Sequence, residues 1–226
     1  MPAGRDGPGV ATRVLVLPFL TVLAQRRLAG RPADLPEERR LAGRPADLPE
    51  ERRLAGRPAD LPYGLSMDEL NGIAVGIRAA GFDVRLMPPE PLPAESFHPG
   101  RQQYRSSPIL DRARKRLEEA HDLMAKLLVL TDADIYEPGL SFTGGMAELG
   151  GKVAVVSLAR LQSGDRTKLI LRTVKEAVHE MGHVIGLEHC RNSGCVMFQS
   201  RSIADSDVKA AAFCAKCKSV AGRAVG

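Results

Sequence analysis

The order of apolar segments in this 226-residue chain predicts one domain of mixed fold, α/β or α+β. Three observations carry that prediction. Short runs rich in Val, Leu and Ile at 12–18, 82–87, 127–131 and 152–157 have the length of strands. Longer stretches between them repeat their apolar residues at helical period. The resulting order is strand, helix, strand, helix, strand, strand, helix, and a domain of 11–226 is long enough to bury a sizeable core.

Residues 1–10 are rich in Gly and Pro and are expected to be a flexible tail. The next run has two readings. Arg5 and Arg13 ahead of the apolar residues Val14 to Ala24 loosely fit a signal peptide; the same residues also fit a buried first strand running into a helix. The strand is the better fit, which makes the expected location cytoplasmic, with export the minor alternative. No run is long enough to span a membrane. The segment RRLAGRPADLPEE then occupies 26–38, recurs at 39–51 and begins again at Arg52 as far as Pro62. A 13-residue period is too short for the usual solenoid units, and two prolines per copy bar a long helix. The stretch 26–62 therefore reads as a flexible tandem-repeat insertion, with a partner-binding array as the alternative.

Order is expected to resume at Ser66. Ser66-Met-Asp-Glu69 has the capping-box pattern, and Gly81 stands where that helix would stop. A strand at 82–87, a Pro-rich loop at 88–108, a helix over about 109–126 and a strand at 127–131 follow. Residues 132–150 read as a long loop and 152–157 as another strand. Arg112, Arg114, Lys115 and Arg116 form the one tight basic cluster outside the repeats, but Glu118 and Glu119 follow at once. A net charge of +5 spread over the chain and this cluster describe a solvated helix face, not a nucleic-acid surface.

The last helix carries His179-Glu180-Met-Gly-His183, with Gly186 and His189 beyond it. Residues i and i+4 share a helix face, so His179 and His183 can bind one metal ion. Glu180 is turned aside by about 100° and suits a general base acting on a metal-activated water. Gly186 can take a positive φ and turn the chain so that His189 returns as a third ligand. Three protein ligands leave an open position, the pattern of a catalytic zinc. Ile170, Val174, Ala177, Met181, Val184 and Ile185 form an apolar stripe on the other side of the helix.

All four cysteines follow: Cys190 and Cys195, then Cys214 and Cys217. The spacing suits a structural zinc held by four thiolates, giving two zinc ions per chain; two disulfides in an oxidising compartment are the alternative. His189 and Cys190 are neighbours, and in an extended segment their side chains point apart, so one dipeptide can face two metal sites. Met197 follows Cys195 by two residues; spacing alone makes it a plain core methionine.

Taken together, HEMGHVIGLEHC, Cys195-Val-Met197 and the Cys214/Cys217 pair resemble the archaemetzincins, a family of metzincin-clan zinc metallopeptidases. Arg101-Gln-Gln-Tyr104, the loop from Asp132 to Gly145 and the strand after Lys152 also resemble the family. The likeness covers most of 11–24 and 63–220 and leaves out the repeats. The spacing from Met197 to Cys214 is one residue shorter than the family pattern. The resemblance implies an α+β, metzincin-type zincin fold: a twisted mixed β-sheet, an active-site helix carrying HExxH and a small four-cysteine zinc subdomain at 190–220. It implies that His179, His183 and His189 bind a catalytic zinc, that Glu180 is the general base, that the cysteines bind a structural zinc, and that Met197 is the Met-turn residue. The strand at 152–157 would be the edge strand over the cleft, where a peptide substrate could pair. A catalytically lapsed binding protein of the same fold is the alternative reading. The oligomeric state is not legible in the sequence.

Overall fold

The structure is a computed structural model and describes residues 11–20 and 65–224. The expected tail at 1–10, the repeats at 26–62 and the helix expected after the first strand lie outside those residues. The described strands and helices run in this order: β1 (Arg13–Leu20), α1 (Met67–Ala79), β2 (Asp83–Leu86), β3 (Glu90–Pro91), β4 (Phe97–His98), β5 (Gln103–Arg105), α2 (Ser106–Glu119), β6 (Lys126–Thr131), β7 (Ile135–Tyr136), β8 (Gly145–Ala147), β9 (Val153–Ser157), α3 (Arg166–Val184), α4 (Ile203–Val208) and α5 (Ala215–Ala224).

The main sheet has the order β2-β1-β6-β9-β8, with β3 also pairing β1. β1, β2, β6 and β9 are parallel, and β8 lies antiparallel on β9. Helices cover both faces, which is why the central strands read as unbroken apolar runs. Side chains alternate between two cores. Val14, Val16, Leu128, Leu130, Ala154 and Val156 pack with Ile73 and Ile77 of α1 and Ala177, Val178 and Met181 of α3. Leu15, Leu17, Leu127, Val129, Val153 and Val155 pack with Ile109, Ala113 and Leu117 of α2. Gly76 admits α3 closely: a Cβ there would stand 2.5 Å from Val174 Cγ2. The capping box is formed, since Glu69 N–H donates to Ser66 Oγ and Ser66 N–H to Glu69 Oε2. Gly81 has the positive φ of 104° that the helix stop requires.

Four sequence expectations need correction. Residues 88–108 are not one loop: they hold β3, a 3₁₀ turn at Ala94–Ser96, β4, β5 and the start of α2. The expected helix at about 109–126 begins at Ser106 and ends at Glu119. Ser106 and Ser107 donate to the Glu137 carboxylate, and Asp122 accepts the N–H groups of Met124 and Ala125, bending the chain into β6. Residues 132–150 contain β7 and β8. The edge strand is therefore β8; β9, at the expected position, is an interior strand between β6 and β8. The pairs in β3, β4 and β7 are two residues long, too short to leave a periodic signal.

The three arginines of the basic cluster on α2 are paired with acids. Arg112 and Arg116 meet Glu90 and Glu119, and Arg114 meets Asp111 and Glu148. Among the described residues, no helix is long and apolar enough to cross a membrane.

Candidate metal centre

Asp165 starts α3. Its carboxylate accepts the N–H groups of Thr167 (2.8 Å) and Lys168 (3.3 Å), satisfying two donors that a helix start leaves open. Val174, Ala177, Met181 and Val184 face the core below the sheet. That stripe turns His179, Glu180 and His183 toward a cleft of about 660 Å³ under β8.

The helix ends as its sequence suggests. Gly186 has φ 91°. Its N–H donates to His183 O and the next N–H, of Leu187, to Gly182 O, both at 2.9 Å. These two bonds form a Schellman turn, which needs a residue that tolerates positive φ. The reversal brings His189 to the other two imidazoles. One ring nitrogen from each of His179, His183 and His189 lies within 4.8 Å of the others.

The rings are oriented from behind. His179 Nδ1 stands 2.8 Å from Val196 O, and His183 Nδ1 stands 2.7 Å from Leu187 O. A carbonyl only accepts, so both Nδ1 atoms are donors and both Nε2 atoms carry lone pairs. Those two Nε2 atoms are 3.1 Å apart. Two bare acceptors so close repel; a cation between them removes the conflict. The separation is near the ~3.3 Å edge of a tetrahedron with zinc–nitrogen bonds of about 2.0 Å. Burial pulls the His179 pKa down to about 3, with Lys209 and the other histidines adding to the effect, so the ring is neutral and available as a ligand. The donor set fits zinc.

Glu180 is buried beside His179. Burial and the nearby Glu176 push its carboxyl up to about 8, against the pull of Lys209; a zinc ion held by the histidines would draw it back toward the ionised form. Gly145 of β8 lies directly over it: a Cβ on Gly145 would stand 2.6 Å from Glu180 Oε1. One turn earlier on the helix, Glu176 Oε1 accepts Ser206 Oγ at 3.3 Å and the buried Lys209 Nζ at 3.4 Å. Arg160 closes another wall, stacked 4.4 Å from the Phe142 ring and paired with Asp134 at 2.7 Å. Arg101 and Gln103 hold the rim by donating to Leu140 O and Ser141 O. The remaining histidines, His98 and His121, take no part.

The four cysteines are unbridged and converge separately, their Sγ atoms within 4.8 Å of one another. Cys190 and Cys214 Sγ are 3.9 Å apart, close to the ~3.8 Å edge of a zinc tetrahedron with 2.3 Å bonds. The Cys214 thiol is held down to about 7, chiefly by the Cys217 backbone N–H, while burial pushes Cys217 and Cys195 up. N–H groups of Asn192 and Cys214 point at Cys190 and Cys195 sulfur. This set also fits zinc, and the shorter Met197-to-Cys214 spacing does not prevent the convergence. Met197 lies beneath α3, where a Cβ on Gly182 would collide with its Sδ.

Sequence reasoning missed Gly145, Val196, Glu176 and Lys209. Glu176 had a signal, since it lies four residues before Glu180 on the same face. The others reach the site only through tertiary packing.

A family model described as Peptidase family M54 matches residues 96–222. The chain is 41% identical over 138 residues to an archaemetzincin of Methanocaldococcus jannaschii, covering 58% of this chain and 73% of the relative. It is 41% identical over 137 residues to the archaemetzincin of Archaeoglobus fulgidus, covering 61% and 80%. Among solved structures, archaemetzincin from Methanopyrus kandleri superposes with TM-score 0.67 at 26% identity, covering 97% of this chain and 98% of that one. The Archaeoglobus fulgidus archaemetzincin, complexed with malonate, superposes at 0.63 and 27% identity, covering 92% and 99%.

Proposed function

Because the chain belongs to peptidase family M54, the archaemetzincins, and is a zinc metallopeptidase, we propose that Glu180 is the general base of its peptide-bond hydrolysis. In this reading His179, His183 and His189 hold the catalytic zinc, and Cys190, Cys195, Cys214 and Cys217 hold a second, structural one. Gly186 makes the turn that returns His189, and Met197 supports the helix from below. The repeats at 26–62 are an insertion outside the peptidase machinery. The carrying observation is the convergence of three imidazole nitrogens within 4.8 Å with Glu180 next to the first of them.

When bound, zinc lowers the pKa of a water to about 7 and polarises the carbonyl to be attacked. The chain's own groups do the rest. A peptide lying along β8 pairs with the outer backbone edge of Gly145–Ala147, which no other described strand covers, displacing the Thr143 hydroxyl from Gly145 O, and runs across the cleft. Glu180, directly beneath Gly145, accepts the proton of the attacking water and delivers it to the departing amine. The carbonyls of Val196 and Leu187 fix the His179 and His183 rings throughout.

The test is Glu180→Ala. The expected result is a chain that still binds two zinc ions, counted by atomic absorption, while kcat/KM on a peptide library falls by about 10²–10⁴-fold. Peptidase activity retained in that variant would refute the role.

A further inference from the structure

Two of the four thiols are one residue along the chain from a group of the histidine site, and a third is one residue from a ring packed against the helix that carries it. Cys190 directly follows His189. Cys195 directly precedes Val196, whose carbonyl holds His179 Nδ1 at 2.8 Å. Phe213 directly precedes Cys214, and its Cε1 would stand 3.1 Å from a Cβ on Gly182, the residue before His183. Met197, two residues past Cys195, packs against the same glycine. These links are tied to one another. Cys190 N–H donates to Met197 O (2.9 Å), Val196 N–H to Ala212 O (3.0 Å) and Cys214 N–H to Cys195 Sγ (3.3 Å).

A displacement of the sulfurs is therefore passed to the imidazoles with almost no flexible chain between. The segment is also packed into the α1/α3 core through Cys195, Val196, Met197, Phe213 and Cys217, so it has little slack to absorb movement. We propose that the four-cysteine site is a positioning site for the histidine site, and not only a staple for the fold. With its sulfurs gathered on one metal ion it presents His189 to His179 and His183 and holds the Val196 carbonyl on the His179 ring. Once it is emptied, the histidines bind zinc more weakly. The proposal rests on the two-zinc reading above.

Cys217 gives the cleanest test. It is buried, but its neighbours Lys216 and Lys218 are exposed and touch nothing at the histidine site. In zinc-buffered solutions, Cys217→Ser is expected to lose the thiol-bound ion and to bind zinc at the histidines about 10–100-fold more weakly, with its far-UV circular dichroism retained. Unchanged affinity at the histidines overturns the proposal. If Cys217→Ser does not fold, the coupling is read from the other side, because linkage is reciprocal. His183→Ala then binds zinc at the thiols more weakly than the fully loaded wild-type chain by a similar factor; equal thiol affinity overturns the proposal. Wild-type protein that binds only one zinc per chain refutes the two-zinc reading itself, and the proposal with it.

Discussion

Gly145 shows how much of this site depends on a side chain that is missing. Its φ is unremarkable, so alanine is conformationally free there, yet the added methyl would meet Glu180 Oε1, Cδ and Cγ at 2.6–2.8 Å. Gly145→Ala is expected to displace the carboxylate while leaving the edge-strand backbone intact. Displacements of about 1 Å can cost on the order of 10²-fold in rate. The expected outcome is a fall in kcat of about 10-fold or more, with KM and zinc content little changed, in steady-state kinetics. A variant with wild-type kcat would show that the carboxylate has room to spare. At this scale the sequence is half legible. Three histidines and a glutamate at helical spacing announce themselves because one helix and one turn bring them together. Gly145 and Lys209 do not, because their nearness to Glu180 exists only once β8 and the α4 segment have packed against α3. The burial of Lys209 against Glu176 is of the same kind: the sequence shows two ordinary charges, and only the fold shows why they are not in water.

At the scale of elements, α3 has separate devices at its two ends. The proposed metal ligands lie near the C-terminal end, and the stabilising cap is at the other. From Asp165 to His179 is about 21 Å along the axis at 1.5 Å per residue. Asp165→Ala removes the acceptor for two helix N–H groups and is expected to cost about 1 kcal/mol in urea denaturation, with activity per folded molecule unchanged. Loss of zinc in that variant would mean that the helix moves as one rigid lever. Elements with strong local rules were legible: the capping box at Ser66, the stop at Gly81, the turn at Gly186 and the apolar strands β1, β6 and β9. The pieces of two or three residues between 90 and 147 were not. Each is too short to leave a periodic signal, and β3 and β5 also pair with strands distant in the chain, as with Tyr104 opposite Ile135. That is how β9 came to be expected at the edge when β8 covers it.

For the whole molecule, the segment after the histidines is clamped to α3 by charge as well as by packing. Arg172 grips Asp207 with two bonds of 2.7 and 2.8 Å and donates to Leu161 O and Gln162 O; Lys168 also reaches Asp207. These donors, Arg172 first, hold the Asp207 carboxyl well below the usual carboxylate range. A pKa depressed by folding means that the contribution to stability is complete above the unfolded value of about 3.9 and disappears as pH falls through the folded value. Asp207→Asn should therefore be less stable than wild type at pH 7, and the gap should narrow below about pH 4. Urea midpoints at pH 7 and pH 3 measure it, and a gap that stays constant would show that the bond matters by shape and not by charge. The fold class was legible at this scale because the alternation of apolar strands with helical stretches needs no tertiary knowledge. The strand order β2-β1-β6-β9-β8 was not, because it is fixed by pairings that no local pattern records.

The two metal-ligand sets and the sheet close over very different distances in the chain. All seven proposed ligands fall between residues 179 and 217, whereas β1 must find partners as far on as Asp83 and Lys126. Closing short loops costs little entropy, and parallel pairing across long ones is slow. With the proposed ligands, metal capture would be the local event in the folding of this chain and completion of the sheet the distant one. On that reading a newly made chain would hold its zinc before it has an active-site cleft to hold it in.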